Sequence, residues 1–175
     1  MSIVGTNQAD LIFGTIHGDH ISGLSGNDVI DAGAGNDEIS GDGGDDTIYA
    51  GAGNDRIVGG TGNDRIYGGT GADIIYGCSG TDRFVYTSID DSLVSARDTI
   101  RDFSRGEVID LTGLGDLTFI GNAAFTNVAG QLHYVKTGFS SVRVEVDIDG
   151  NGAADFAIDV IGVAQPTTAA SFAIL

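Results

Sequence analysis

Isoleucine returns at every ninth position through the first half of the chain, as Ile12, Ile21, Ile30, Ile39, Ile48, Ile57, Ile66 and Ile75, and Phe84 completes the series. In Arg65-Ile66-Tyr67, for example, the apolar residue sits between two residues suited to water. That alternation over a short run predicts a strand buried on one face only. Each nine-residue unit then consists of a sharp six-residue turn and a three-residue strand. One apolar side chain per unit makes a thin core. From about Tyr86 the period stops and a more ordinary globular mixture takes over. There, Val142-Arg143-Val144-Glu145-Val146-Asp147-Ile148 alternates apolar and charged residues, and Phe156, Ile158 and Val160 alternate similarly. Together these two runs predict a hairpin.

Two residues before each of these apolar positions stands an aspartate: Asp10, Asp19, Asp28, Asp37, Asp46, Asp55, Asp64, Asp73 and Asp82. The cleanest unit is Gly59-Gly60-Thr61-Gly62-Asn63-Asp64-Arg65-Ile66-Tyr67, which reads G-G-x-G-x-D-x-U-x. Glycine at the first, second and fourth positions permits positive φ and close backbone approach. Asn27, Asn36, Asn54 and Asn63 precede their aspartates, where a residue tolerant of the left-handed region suits a turn. Ile66 is expected inward, with Arg65 and Tyr67 outward. No catalytic pocket needs nine equivalent carboxylates, whereas a stack of coils held together by hard cations does.

This nonapeptide resembles the RTX (repeats-in-toxin) calcium-binding repeat over residues 5–85. The resemblance implies an all-β, right-handed parallel β-roll (a β-solenoid) of nine nonapeptide repeats, two repeats to a coil. Alternate repeats would share a face, with Asp10, Asp28, Asp46, Asp64 and Asp82 along one edge and Asp19, Asp37, Asp55 and Asp73 along the other. It further implies that each Ca²⁺ sits between neighbouring turns, held by an aspartate carboxylate and by main-chain carbonyls. The glycines at Gly33, Gly35, Gly51, Gly53, Gly60, Gly62, Gly69 and Gly71 are the expected sources of those carbonyls. Calcium takes six to eight oxygen ligands in flexible geometry, which suits such a site. At free calcium tenfold above Kd, each ion adds about 1.4 kcal/mol by linkage. Up to about seven ions would then match the stability of an ordinary domain. The early repeats depart from the pattern. Gln8 and His17 replace the fourth-position glycine, and Thr6 and Thr15 replace the second, so the first coil is expected to bind calcium weakly or not at all. Ala32 and Ala50 are mild changes that keep Gly33 and Gly51. Cys78 stands second in the ninth repeat and is expected to fill space in a tight coil, and Phe84 is a larger plug suited to an end repeat.

Residues 86–163 resemble the segment that follows the roll in serralysin-type metalloproteases, a β-rich cap. The shared features are Asp98-Thr99-Ile100-Arg101-Asp102-Phe103, Gly106, Val108-Ile109-Asp110-Leu111, Ala129-Gly130-Gln131-Leu132-His133-Tyr134 and Ala154-Asp155-Phe156. The resemblance implies a cap and secretion-signal region over 86–175, with Asp98 or Asp102 a candidate to close the last calcium site. The connection of the predicted hairpin carries Asp147, Asp149, Asn151 and Asp155 around Gly150 and Gly152. It follows the front of a calcium loop, but Ile158 stands where an EF-hand has glutamate. A plain Asp/Asn/Gly turn is the competing reading. The tail Ser171-Phe172-Ala173-Ile174-Leu175 is small and apolar, compatible with an export signal.

Charge sharpens the picture. The chain of 175 residues has 29 Gly, 1 Pro and a formal net charge of −17. Thirteen acidic and three basic side chains fall in residues 1–86, and twelve and five in 87–175. Periodic rather than scattered carboxylates signal a demand for cations, and the same excess argues against nucleic acid. No stretch approaches the roughly eighteen apolar residues of a membrane span. No signal peptide leads into the first repeat. By resemblance, RTX proteins leave the cell through a type I secretion apparatus, guided by an uncleaved C-terminal signal, which implies a secreted, extracellular protein. Millimolar external calcium matches the weak-affinity class of extracellular sites. Catalysis finds no support. A serralysin needs H-E-x-x-H, and only His17, His20 and His133 are present, while a G-x-S-x-G elbow is also missing. Two functions remain. One is a non-catalytic calcium-folded module, either ending a larger exoprotein with an N-terminal catalytic domain or exported as a small RTX protein itself. The other is a polysaccharide-binding module, since the layout also resembles the R-modules of alginate epimerases. Tyr49, Tyr67, Arg65 and Arg83 on one sheet face would stack and pair sugars, although a net −17 opposes a polyanion.

Overall fold

The computed structural model describes residues 1–162 and 169–174; Leu175, at the end of the apolar tail, lies outside them. The repeats supply β1 (Ser2–Val4), β2 (Leu11–Thr15), β3 (His20–Ser22), β4 (Val29–Gly33), β5 (Glu38–Gly43), β6 (Thr47–Ala52), β7 (Arg56–Thr61), β8 (Arg65–Thr70), β9 (Ile74–Ser79) and β10 (Arg83–Val85). Beyond them come β11 (Thr99–Ile100), β12 (Val108–Asp110), β13 (Thr118–Phe119), β14 (Gln131–Lys136), β15 (Ser141–Asp147), β16 (Phe156–Ile161) and β17 (Phe172–Ala173). Odd-numbered strands β1 to β9 stack in one parallel sheet and even-numbered strands β2 to β10 in another. Each strand therefore pairs with the strand two repeats away, so that Ile21 lies opposite Ile39, and Ile39 opposite Ile57. The result is a parallel β-solenoid of about five turns.

The every-ninth apolar residues fill the space between the two sheets. Ile30, Ile48, Ile57 and Ile66 are fully buried, as is Phe84, whose ring packs 6.0 Å from that of Phe103. The strands run longer than the expected three residues. β7, for instance, continues through Gly59, Gly60 and Thr61, where Gly60 still pairs with Asp42 on one side and Cys78 on the other. The ladder survives into the turn because the glycines let neighbouring coils touch backbone to backbone. A Cβ on Gly60 would collide with the Asp42 carbonyl and one on Gly62 with that of Gly44, and both residues have positive φ (120° and 127°).

Both sheets run on past residue 86. β11 pairs with β9, and β12 with β10, adding one more coil. The first sheet then continues β11-β16-β15-β14-β13, and the second ends on β17. The hairpin expected from the alternating runs forms, with β15 antiparallel to β16 and Val146 opposite Phe156. β16 is buried on both faces: Phe156, Ala157, Ile158 and Val160 are all covered. Tyr86 meets Phe156 edge to face at 5.2 Å, and Ser92 Oγ donates to the Ala157 carbonyl at 2.6 Å. Among the described residues no helix is long and apolar enough to cross a membrane.

Since each coil buries so few apolar groups, a single truncation should be felt. Ile57→Ala is expected to lose about 2–5 kcal/mol in urea unfolding at saturating calcium. A loss below about 1 kcal/mol would mean that the interior isoleucines contribute little.

Candidate metal centre

Each aspartate stands just before its strand, at the edge where the turn hands over to the sheet. From there its main-chain N–H reaches the carboxylate of the aspartate one coil further on. Asp10 N donates to Asp28 Oδ1 at 2.8 Å, Asp28 N to Asp46 Oδ1 at 2.8 Å, Asp46 N to Asp64 Oδ1 at 2.9 Å and Asp64 N to Asp82 Oδ1 at 2.9 Å. The opposite edge runs Asp19 to Asp37, Asp37 to Asp55 and Asp55 to Asp73, all at 2.8 Å. It then goes on to Asp98, whose Oδ1 accepts from Asp73 N at 2.9 Å. Two carboxylate ladders thus follow the edges assigned by the repeat phase.

One oxygen of each rung is satisfied in this way and the other is not. Oδ2 of Asp28, Asp37, Asp46, Asp55, Asp64, Asp73, Asp82 and Asp98 is buried without a hydrogen-bond partner. Its neighbours are acceptors too. A Cβ built on Gly41 would meet Asp46 Oδ2 and, at 2.6 Å, the Gly59 carbonyl; one on Gly59 would meet Asp64 Oδ2 and, at 2.9 Å, the Gly77 carbonyl. Burying an unpaired anionic oxygen among other oxygens is costly unless a cation joins them. The donor set is all oxygen, carboxylate plus carbonyl, which is the chemistry of Ca²⁺.

Without a cation, several of these carboxyls are shifted toward the protonated form. Burial, reinforced by the charges of Asp64, Asp28 and Asp42, pushes Asp46 up to about 7 against the pull of a backbone N–H. Asp55 and Asp64 rise to about 6 and Asp73 to about 7, each mainly through burial. Asp98, buried beside the Asp73 charge, rises to about 9. Asp37 and Asp82 are raised for the same primary reason.

Other expected residues fall elsewhere. Asp10 and Asp19 sit at the head of the ladders, but threonine donors occupy their Oδ2 atoms. The Met1 amino group lies 2.6 Å from Asp19 Oδ1 and, with Thr15, holds that carboxyl below its ordinary range. Gly33, Gly35, Gly51, Gly53, Gly60, Gly62, Gly69 and Gly71 all have positive φ and line the inter-coil turns. Asp102 stands off the ladder, accepting from Gly77 N at 3.0 Å and Cys78 N at 2.8 Å. Cys78 does not fill space; it is exposed, with φ 69°, because its side chain points out of the tight turn. Asp147, Asp149 and Asp155 do converge, with one ligand atom of each within 4.8 Å of the others. Their oxygens are already engaged within the loop: Asp147 takes Gly150 N and Gly152 N, Asp155 takes Ile148 N and Asp149 N, and Asp149 takes Asn151 N. Glu107 was missed from the sequence. It is buried one residue before β12, in register with Asp82, and accepts from Ser104 N at 2.7 Å. The signal was available, since Glu107-Val108-Ile109 repeats the acid-x-apolar step of the nonapeptide. Tyr49 and Tyr67 stack at 4.5 Å as the sheet-face reading expects, but Arg65 is bonded to the Tyr67 hydroxyl and Arg83 to Asp110 at 2.7 Å.

Raised carboxyl pKa values fix a sign. In the metal-free chain, the folded roll binds more protons than the unfolded chain between the ordinary aspartate value near ~4 and the shifted values. Its stability must therefore fall as pH climbs through that window. Acidifying the EDTA-treated chain from about pH 8 to about pH 5 should raise its β-sheet circular dichroism, and calcium titrations should shift to higher concentration. A metal-free signal that is flat or falls on acidification would contradict the assignment.

The family of the RTX calcium-binding nonapeptide repeat (4 copies) matches at residues 2–30, 13–48 and 49–84. Serralysin G of Dickeya chrysanthemi is 39% identical over 95 residues, covering 48% of this chain but only 18% of that protein's length. Among solved structures, the AlgE6R2 subunit of the Azotobacter vinelandii mannuronan C5-epimerase aligns over 99% of this chain and 92% of that one, at 23% identity and a TM-score of 0.45. The AlgE6R3 subunit of that enzyme aligns over 96% and 79%, at 23% identity and a TM-score of 0.40. The ladders of buried, cation-demanding aspartates and the matched repeats agree: residues 2–84 are RTX calcium-binding nonapeptide repeats.

Proposed function

We propose that the chain is a non-catalytic module that folds on Ca²⁺ after export through a type I secretion apparatus. Residues 5–85 act as the calcium-binding roll, and residues 86–175 as the β-rich cap and signal region. The module either ends a larger exoprotein or is itself a small exported RTX protein. The observation that supports this most is the double ladder of buried Oδ2 atoms without a hydrogen-bond partner. A roll carrying so many unmet acceptors at neutral pH depends on metal for its stability, since a bound ligand adds free energy only to the folded state. Where calcium is scarce the chain stays loose enough to be threaded outward, and where calcium is millimolar it folds.

The polysaccharide-binding alternative rests on the outward Tyr and Arg face. The bond from Arg83 to Asp110 and that from Arg65 to Tyr67 occupy the cations such a ligand would need. A chain of net charge −17 also repels a polyuronate.

Calcium added to the EDTA-stripped chain at neutral pH should bring up β-sheet circular dichroism in a cooperative step. Magnesium at the same concentration should not, because it demands tight octahedral geometry and gives up water reluctantly. A chain that keeps its β signal in EDTA, or refolds equally well in magnesium, would refute the proposal. So would a chain co-expressed with a working type I exporter that never reaches the medium.

A further inference from the structure

Three threonines hold an aspartate four residues on, in a way that no interior repeat does. Thr6 N and Oγ1 donate to Asp10 Oδ2 at 2.6 and 2.9 Å, and Thr15 N and Oγ1 donate to Asp19 Oδ2 at 2.8 and 2.8 Å. Thr87 N and Oγ1 donate to Asp91 Oδ2 at 2.7 and 3.1 Å, with Ser88 N adding a third bond at 3.0 Å. Asp91 lies nine residues after Asp82. The segment from Tyr86 therefore keeps the repeat spacing, with Thr87 in the second position, although Asp91 caps the short 3-10 helix Ile89–Ser92 and Asp98 takes the next rung. Repeats one and two and this segment carry threonine at that position and a carboxylate supplied with donors. Repeats three to nine carry a buried Oδ2 with none, and Asp98 beyond them is faced only by the Tyr86 hydroxyl.

The fourth position divides these units too, being glycine in repeats three to nine but Gln8, His17 and Ile89 in the others. The backbone of the second position, which carries the donors, follows the same division. In repeats three to nine the second residue has positive φ throughout: Leu24 75°, Gly33 96°, Asp42 68°, Gly51 104°, Gly60 120°, Gly69 84° and Cys78 69°. Glycine is therefore not the requirement; left-handed backbone is. Thr6, Thr15 and Thr87 are outside that region, as expected of a β-branched residue, for which it is sterically unfavourable. In these three units the second residue turns both its N–H and its hydroxyl onto the carboxylate. In the left-handed units it gives Oδ2 nothing.

We infer that the second residue of each nonapeptide decides whether the repeat takes a hard divalent cation. Threonine closes the unit with its own donors, and a left-handed residue leaves an all-oxygen site open. The ion ladders then run only from the third repeat to the ninth and on to Asp98. They are flanked at both ends by units that hold their aspartates without metal. This inference rests on the calcium reading of the ladders and adds the rule that bounds them.

The test is the number of calcium ions bound per chain, by calorimetry and native mass spectrometry, in the wild type and single variants. Thr15→Gly should bind one ion more than the wild type, and Thr6→Gly should do the same independently at Asp10. Thr15→Val removes the hydroxyl but stays β-branched, so its count should equal that of the wild type. An unchanged count in both glycine variants, or an extra ion in Thr15→Val, overturns the rule. A wild type that binds no calcium at all overturns the calcium reading beneath it instead.

Discussion

A carboxylate oxygen buried among carbonyls, without a hydrogen-bond partner, is the constraint on which the rest of this molecule depends. It recurs once per repeat along both edges of the roll, at Asp28 through Asp82 and at Asp98. The turns must bring neighbouring coils close enough for their oxygens to share an ion. That closeness excludes a side chain at fourth positions such as Gly53 and Gly62, where a Cβ would strike the coil behind. The same crowding raises the carboxyl pKa values, because burial and stacked like charges both favour the proton over the bare anion. Composition follows from geometry: the turns demand glycine, the ladders demand aspartate, and only one interior apolar residue per repeat is left to fill the core.

The ladder does not stop where the nonapeptides do. Asp98 extends one column into the second half, accepting from Asp73 N as any interior rung would. Its own backbone belongs to the cap: Asp98 N donates to Ser92 Oγ at 2.9 Å, and Asp159 N donates to the Asp98 carbonyl at 2.9 Å. Asp159 in turn is gripped by Arg97 and Arg143, at 2.9 and 2.7 Å. One end of the ion column is thus built from the segment that carries the β15–β16 hairpin. Occupancy of that position and docking of the hairpin share the same residue, so roll and cap are mechanically joined.

Much of this could be read in the sequence because the repeat phase carries it. The two edges, the inward isoleucines and the hairpin of Val142–Ile148 with Phe156–Val160 follow from periods of nine and two. What escaped depended on backbone torsion and on proton donors, which spacing does not encode. Strands such as β7 run six residues instead of three because glycine backbones keep pairing into the turn. Glu107 hid because glutamate replaced the expected aspartate, and Asp91 because the residues around it lack glycine. The Asp147–Asp155 loop resembles a calcium loop in sequence, and its three carboxylates do converge while also accepting from the loop's own amides. Cys78 illustrates the reverse error. A small apolar residue in a tight coil looked like filler, but its left-handed backbone turns the side chain outward.

Long-wavelength anomalous diffraction from crystals grown in calcium reaches the central claim most directly, because it locates the ions without any assumption about the protein. Peaks should fall in two rows along the roll, each beside an Oδ2 of the ladder from Asp28 to Asp82 and at Asp98, bridging adjacent coils. Well-ordered aspartates with no anomalous peak beside their Oδ2 atoms would contradict the account.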